Sequence, residues 1–514
     1  MNPVESPARA GGEFHVAGQM PSVKQVICPT KTDFLEMNMV APDSPNRNVR
    51  LLVAIASHGE KNLEFLNKII RNYRSMSMEV DVVVFSNAPK NLGDGVKVMV
   101  GLPSPNPWSL PFAHKPYFAE NLDRYDLFIY SEDDMEVSEK NIRAFLDLTP
   151  QLRPSEIAGF MRYEKSESGE RSLPEVHGPF CWRPESVKRR GTSTIAEFSN
   201  EHAAFYLLTR DQLRMAITSG GFLRGPCEGQ YDMLCTAATD PYTNCGFRKV
   251  VCISAIDDFL VHHLSNRYIG QLGLSYSAFE GQIGTLMEIG NGKHPASSLF
   301  KLQSKLLHEK WSKGHDEKPD AELLDQMPRD AKTVLSIGCG WGNIELAFKQ
   351  LGCEITALPL NSVVGAAVER RNIEVVYGEW DACLKTLGDR RFDCVFMKDL
   401  LHLHAKPGQL VEQCAQLVKA GGTLVLAGPN FSRLPWLAKR LFGIGEFGKL
   451  RSFELAGISV CGPATLARHV KNAGLRLAAV GWLNHGPNRG WARGGAMRLG
   501  RFTARDWVLQ ARRD

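Results

Sequence analysis

Along the chain, short apolar runs alternate with segments in which apolar residues return every three or four positions, the pattern of buried strands joined by amphipathic helices. Residues 49–56 (VRLLVAIA) read as a buried strand. Residues 62–73 then place Leu63, Leu66, Ile69 and Ile70 on one helical face, and residues 80–85 (VDVVVF) form a second apolar run. This is a β-α-β unit, which predicts a parallel sheet with ligand chemistry at the carboxyl ends of its strands. A third apolar run at 127–130 (LFIY) stops directly on Ser131-Glu132-Asp133-Asp134. Between about Ser265 and Arg329 the pattern weakens, with glycine-rich pieces around Gly281 to Gly292 and a helical stretch expected at 297–311. From Thr333 a second alternation of strands and helices runs nearly to the end.

At 514 residues the chain is too long for one hydrophobic core. The pattern divides it into a tail at 1–48, a domain at 49–266, a helical linker at 267–329 and a domain at 330–514. The tail lacks periodicity and carries Pro3, Pro7, Gly11, Gly12, Pro42 and Pro45, so it is expected to be flexible. No charged segment leads into an apolar one at the start, and no run of eighteen apolar residues occurs. A cytoplasmic protein is therefore expected. The twelve cysteines are scattered through apolar runs with no CxxC pair, which reads as reduced core residues rather than a disulfide or zinc framework. From Val411 onward 16 Lys and Arg face 5 Asp and Glu, an excess that suits a phosphorylated acceptor or an anionic membrane surface, or is only a solvated face.

The second alternation opens with the strand 333–337 (TVLSI), the turn Gly338-Cys-Gly340-Trp-Gly342, and a helix carrying Ile344, Leu346, Ala347 and Phe348. Glycines there let the backbone pass close beneath a ligand. Strands follow at 354–358, 375–379, 392–397 and 421–426, with Leu400-Leu-His402-Leu and Pro407 after the strand at 392–397, and a terminal strand at 502–510. Over about 180 residues this order resembles the class I S-adenosylmethionine-dependent methyltransferases. The resemblance implies a Rossmann-like fold, with Gly338, Gly340 and Gly342 approaching the cofactor by their backbone and Glu379 or Asp381 near the adenine amine. Two positions depart from the family: Ser336 stands where an acidic residue is usual in the first strand, and Pro359 where one holds the ribose hydroxyls. Asn361 is the available partial substitute. His402 is a candidate base toward an acceptor hydroxyl, since imidazole titrates near physiological pH; packing is its other reading. Residues 434–442 mix aromatic, aliphatic and basic side chains, as in a helix resting on a membrane surface or a lid on its own domain.

In the first half, Glu132, Asp133 and Asp134 end an apolar strand. Mg²⁺ or Mn²⁺ prefers such oxygen ligands, and the diphosphate of a sugar nucleotide needs such a cation to neutralise its leaving group. An acidic turn capping the helix 138–148 is the structural alternative. His263, after the strand 259–261, is a possible further metal ligand; Lys115, beside His114, could meet phosphate oxygens; Glu228 and Asp232 could supply a base. The opening strand, the EDD triplet, the strand at 205–210, the late acidic pair and the closing histidine resemble GT-A type glycosyltransferases over residues 49 to 266. That resemblance implies a nucleotide-sugar fold with Asp134 as direct metal ligand, Glu132 and Asp133 supporting it and the ribose, and Glu228 or Asp232 as the base of an inverting transfer, although EDD is not a strict DxD.

Together these readings describe an α/β chain of two domains: a bifunctional transferase of polysaccharide or glycolipid assembly using a nucleotide-sugar donor, S-adenosylmethionine and Mn²⁺ or Mg²⁺. A glycan or lipid-linked acceptor is expected, with peripheral membrane contact through the basic C-terminal region and no nucleic-acid partner. Two alternatives stand beside it: a glycosyltransferase whose methyltransferase-like domain does not turn over, and a non-catalytic carbohydrate-binding or assembly protein.

Overall fold

The first four strands of the described chain, joined later by an eleventh, make the first sheet. In the computed structural model, which describes residues 49–174, 180–269, 273–302, 311, 313–315, 317–319, 321–483 and 501–514, β1 (Arg50–Ser57) is buried beyond its first residue. Helix α1 (Leu63–Arg74) returns over it, sinking Leu66, Ile69, Ile70 and Tyr73. β2 (Glu79–Ser86) pairs parallel to β1, and β3 (Val96–Val100) parallel to β2. After α2 (His114–Glu120), β4 (Leu127–Glu132) joins the other side of β1 in parallel. The expected tail at 1–48 lies outside the described residues.

Beyond β4 come β5 (Met135–Glu136), α3 (Glu139–Leu148), β6 (Glu156–Ala158), β7 (Met161–Lys165), β8 (Arg171–Leu173), β9 (Trp182–Arg190) and β10 (Ser193–Phe198). α3 starts on a reciprocal cap between Ser138 and Asn141. β11 (Phe205–Thr209) closes the first sheet antiparallel to β4, giving the order β11-β4-β1-β2-β3. Then follow α4 (Arg210–Thr218), α5 (Met233–Thr243), β12 (Arg248–Cys252), β13 (Leu260–His263), β14 (Leu274–Ser275) and α6 (Tyr276–Gly290). Two smaller sheets, β6-β12-β10-β9 and β14-β8-β7-β13-β5, complete this half.

Helix α6 corrects the expectation of a weakly structured glycine-rich connector. Phe279, Ile283, Leu286 and Ile289 are buried in the first core, so residues 276–290 belong structurally to the N-terminal half. Gly290 is a contact point: a Cβ there would stand 3.0 Å from Thr194 Cγ2 and 3.4 Å from Val187 Cγ1, so the helix end lies close on β9 and β10. The helix expected from 297 is also absent over its described part, because residues 297–302 run as extended and bent chain. Residues 303–310 of that stretch lie outside the described residues.

The C-terminal half runs α7 (Ala321–Leu324), β15 (Thr333–Cys339), α8 (Asn343–Gln350), β16 (Glu354–Pro359), α9 (Ser362–Glu369), β17 (Glu374–Val375), α10 (Trp380–Leu387), β18 (Phe392–Lys398), α11 (Pro407–Gln416), β19 (Val418–Pro429), α12 (Leu434–Leu441), α13 (Phe453–Ala456), α14 (Pro463–Asn472), β20 (Leu475–Leu483) and β21 (Asp506–Arg513). Its seven strands lie in the order β17-β16-β15-β18-β19-β21-β20. β17 to β19 are parallel, and β21 is antiparallel to both its neighbours. This is the Rossmann-like sheet expected, with β21 as the terminal strand. β17 is shorter than its apolar run, since Gly378 and Glu379 already lead into α10, and β21 begins at Asp506 rather than Phe502 because residues 501–503 are helical.

Candidate functional site

The carboxyl end of β15 turns through Gly338 at φ 74° and Gly342 at φ 80°, left-handed conformations that favour glycine, and Gly342 opens α8. The turn is closely approached. A Cβ on Gly338 would stand 1.9 Å from Leu400 Cδ1, and one on Gly340 would stand 2.0 Å from the His315 carbonyl oxygen, which accepts the Trp341 N–H at 2.8 Å. The acidic group missing at Ser336 is supplied from elsewhere: Ser336 Oγ donates to Glu345 Oε1 at 2.6 Å. Glu345, on the first turn of α8, is buried, and that burial pushes its carboxyl up.

At the end of β16, Pro359 offers no acceptor, and Asn361 is committed elsewhere, its Oδ1 accepting the Val364 N–H at 3.0 Å as the cap of α9. Glu379 and Asp381 lie exposed at the start of α10, Glu379 paired with Lys301 at 3.1 Å. Between these strand ends runs the connector. Leu299 donates its N–H to the Leu360 carbonyl and accepts the Trp380 N–H, each at 3.0 Å. The glycine turn is thus packed against the chain's own Leu400 and His315, and the ribose end lacks a carboxylate that would hold two hydroxyls.

Next to the turn lies a charged cluster that sequence reasoning missed. Lys313 Nζ meets Glu317 Oε1 at 2.7 Å and the Lys398 carbonyl at 3.0 Å, while Lys398 Nζ reaches Glu317 at 3.2 Å and the Asp399 carboxylate. Asp399 holds a left-handed φ of 54°, strained for a residue with a Cβ. Burial pushes its carboxyl up, but the neighbouring Lys398 and Lys313 outweigh that and hold it below the usual range. His402 is buried, and its Nε2 lies 2.6 Å from the Trp311 carbonyl oxygen. Burial lowers its pKa, so the ring is neutral at physiological pH. Only a ring N–H can bond a carbonyl, which assigns the proton to Nε2. α12, by contrast, buries none of its residues and leaves Leu434 and Leu441 exposed beside Lys439 and Arg440.

In the N-terminal half the three carboxylates at the end of β4 diverge. Asp133 accepts Ser57 Oγ at 2.6 Å and Asn62 Nδ2 at 2.7 Å, which ties it to the loop after β1 rather than to a common ligand. Asp134 turns to His263, whose Nε2 lies 3.1 Å from Asp134 Oδ2 and whose Nδ1 lies 2.7 Å from Glu164 Oε1. Burial alone would lower the His263 pKa, but these two carboxylates raise it to about 9, and Asp134 is held correspondingly low. Glu132 is pushed up to about 8, first by desolvation and then by Asp134. Among the described residues no group of three His, Cys, Asp or Glu side chains is placed to hold a metal. Asp134 Oδ1 is buried without a hydrogen bond among the described residues, whereas His263, charged between Asp134 and Glu164, presents a lone pair to a cation only after losing a proton.

The remaining predicted residues disperse. Asp232 caps α5, accepting the Cys235 N–H at 2.9 Å; burial first, and then the charges of Glu132 and Asp232, raise the Cys235 thiol. Glu228 is exposed in the loop before it. Lys115 has a different partner from the phosphate expected of it: fully buried, it pairs with Asp240 and lies 4.2 Å from the Phe112 ring centroid. Burial favours a lysine that pairs once and stays, which leaves no ammonium for a ligand. Glu164 and Arg162 on β7, unremarked in the sequence, are the nearest additions to the cluster, since both act electrostatically on its members.

Residues 335–426, from within β15 to within β19 and including the glycine turn, match a family model described as a methyltransferase domain. Over 169 residues the chain is 25% identical to the ubiquinone biosynthesis O-methyltransferase of Coxiella burnetii, spanning 32% of this chain and 72% of that protein. It is 26% identical over 202 residues to the Azoarcus protein of the same name, spanning 36% and 84%. A solved Thermotoga maritima structure, described as a SAM-dependent methyltransferase and possible histamine N-methyltransferase, aligns at TM-score 0.29 and 16% identity, covering 37% of this chain and 86% of its own. The C-terminal half thus carries a class I methyltransferase domain.

Proposed function

We propose that the chain is a bifunctional transferase that moves a sugar from a nucleotide-sugar donor in its N-terminal half and a methyl group to a hydroxyl oxygen in its C-terminal half, both on one glycan or lipid-linked acceptor. The observation that carries the added sugar transfer is the Asp134–His263–Glu164 chain at the carboxyl end of β4, with an unsatisfied carboxylate oxygen facing it. Asp134 and His263 would hold Mn²⁺ or Mg²⁺ against the donor diphosphate, Glu132 would supply a further oxygen, and Asp232 or Glu228 would take the acceptor proton. Joining the two transfers in one chain raises the effective concentration of the shared intermediate.

In the C-terminal half, oxygen is favoured as the methylated atom by the names of the relatives in Coxiella burnetii and Azoarcus. S-adenosylmethionine supplies an electrophilic methyl group; Gly338, Gly340 and Gly342 would hold it by their backbone, with Glu379 or Asp381 at the adenine. His402, neutral and held by the Trp311 carbonyl, is the candidate to accept the hydroxyl proton. The exposed apolar and basic side chains of α12 suit peripheral contact with an anionic membrane carrying the acceptor. A second reading, sugar transfer beside a methyltransferase domain that only positions the acceptor, is favoured by Pro359 and the committed oxygen of Asn361.

The test is release of nucleoside diphosphate by the full chain from a panel of sugar nucleotides with and without Mn²⁺. Metal-dependent release from one donor, lost in Asp134→Asn, is expected. No release from any donor by folded protein overturns the sugar-transfer reading.

A further inference from the structure

Arg162 and Glu164 lie on the same face of β7, two residues apart. Glu164 is tied to His263 and to the Tyr268 N–H. Arg162 has no comparable tie: it is 8% exposed, and its Nε and Nη2 have no hydrogen-bond partner among the described residues. A buried guanidinium with two unmet donors is rare, because each donor has lost its water without replacement.

A second cation stands beside it. Lys249, on β12 and 6% exposed, directs its ammonium at the carbonyls of Asn200 (3.3 Å) and Glu201 (3.1 Å), with no carboxylate in hydrogen-bonding contact among the described residues. Its stem lies where a glycine leaves room, since a Cβ on Gly159 would stand 2.2 Å from Lys249 Cγ. The two cations repel, and Arg162 is one of the charges that lower the Lys249 pKa. The acidic groups in electrostatic reach are Glu132 for Arg162 and Glu201 for Lys249; the Glu201 carboxylate bonds Tyr231 Oη at 2.9 Å instead. Arg162 and Lys249 line one cavity of about 20 Å³, with His202 and Gln282 among its polar groups and Phe198 and Phe279 among its walls. That volume admits one small polar group.

We propose that this cavity is an anion subsite in which Arg162 and Lys249 receive a carboxylate or phosphate group of a ligand whose remainder lies outside it. A desolvated guanidinium with open donors beside a buried lysine matches an oxyanion, which accepts from both and favours the charged form of the lysine when it arrives. Nothing in this subsite requires a metal or a nucleotide, so it stands apart from the sugar-transfer reading. It adjoins that candidate site through Arg162, whose charge also acts on Glu132 and His263.

The experiment is calorimetric titration of the full chain with inorganic phosphate, pyrophosphate and D-glucuronate at constant ionic strength, with sodium chloride as control. Saturable binding of at least one is expected, and its preference for the phosphates or for glucuronate identifies which oxyanion the subsite takes. Arg162→Met and Lys249→Met should each weaken it about tenfold or more, the loss of one charge-assisted pair. Gly159→Ala, which displaces the lysine stem without changing charge, should weaken it severalfold. Ligand-free Arg162→Met should melt no lower than the wild type, whereas an arginine with a purely structural role would leave a less stable chain. Should Arg162→Met fail to fold, Arg162→Lys serves, keeping the charge and losing the fork. No saturable binding of the three anions at tens of millimolar by folded wild type, or unchanged binding in the Arg162 and Lys249 variants, overturns the proposal.

Discussion

Replacing Lys249 with methionine removes a cation that the fold buries almost completely. Desolvation lowers its pKa from 10.5 to about 7, against the modest opposing pull of Glu201. The sign follows from which state binds the proton. Between about pH 7 and 10.5 the unfolded chain holds a proton on this lysine that the folded chain does not, so wild-type stability rises with pH across that window. The slope approaches about 1.4 kcal/mol per pH unit, the value for one proton. Accumulated over the window from about 7 to 10.5, the deficit at neutral pH is on the order of 5 kcal/mol relative to a neutral side chain. Lys249→Met has no such proton, and its apolar stem keeps the contacts over Gly159. Because a chain with several cores need not unfold in one step, the assay is scanning calorimetry of wild type and variant from pH 6.5 to 9.5, comparing the transition that the substitution moves. The variant should melt above the wild type at pH 6.5, and the difference should shrink as pH rises. Parallel curves would show that Lys249 is solvated or paired with a carboxylate, and the reasoning about its burial would be refuted.

Three further outcomes follow from the same geometry. Gly338→Ala, placed at φ 74° and 1.9 Å from Leu400 Cδ1, should lose about 1–3 kcal/mol of stability and at least about tenfold in S-adenosylmethionine affinity, read by melting temperature and titration; wild-type affinity would contradict the placement of the turn. Pro359→Glu should tighten cofactor binding about tenfold by supplying the ribose carboxylate, and an unchanged dissociation constant would mean that the hydroxyls are held by another group. His263, at about 9 in the folded chain, contributes stability that is fully present below its ordinary value of 6.5 and disappears as pH rises through 9. Asp134→Asn should flatten that dependence and bring the imidazole resonance titration down toward the ordinary value, which proton NMR of the ring would follow.

The sheets were legible because their strands are continuous apolar runs: β1, β4, β15 and β18 lie where those runs do, and the two clusters of chemistry sit at the strand ends that the parallel arrangement makes accessible. Helix α6 was not legible, because Gly281, Gly284 and Gly290 read locally as breakers, and only the neighbouring sheet shows that the missing side chain of Gly290 admits close packing. The Ser336 departure pointed to a missing carboxylate; Glu345 restores one from nine residues downstream, a relation set by the glycine turn folding α8 back onto β15. Lys313, Glu317 and Asp399 came together through the connector, whose path has no periodicity to read. Arg162 and Glu164 carry no local mark of burial, being charged residues in a short segment without a long apolar run. Their burial depends on β13 and on the elements packed over β7, which no local pattern announces.

The most direct test of the account is calorimetric titration of the full-length chain with S-adenosylmethionine and S-adenosylhomocysteine. Saturable binding of both in the micromolar range, weakened by Gly338→Ala, is the predicted result. No binding at millimolar ligand by folded protein would contradict the assignment of an adenosyl site to the glycine turn of β15.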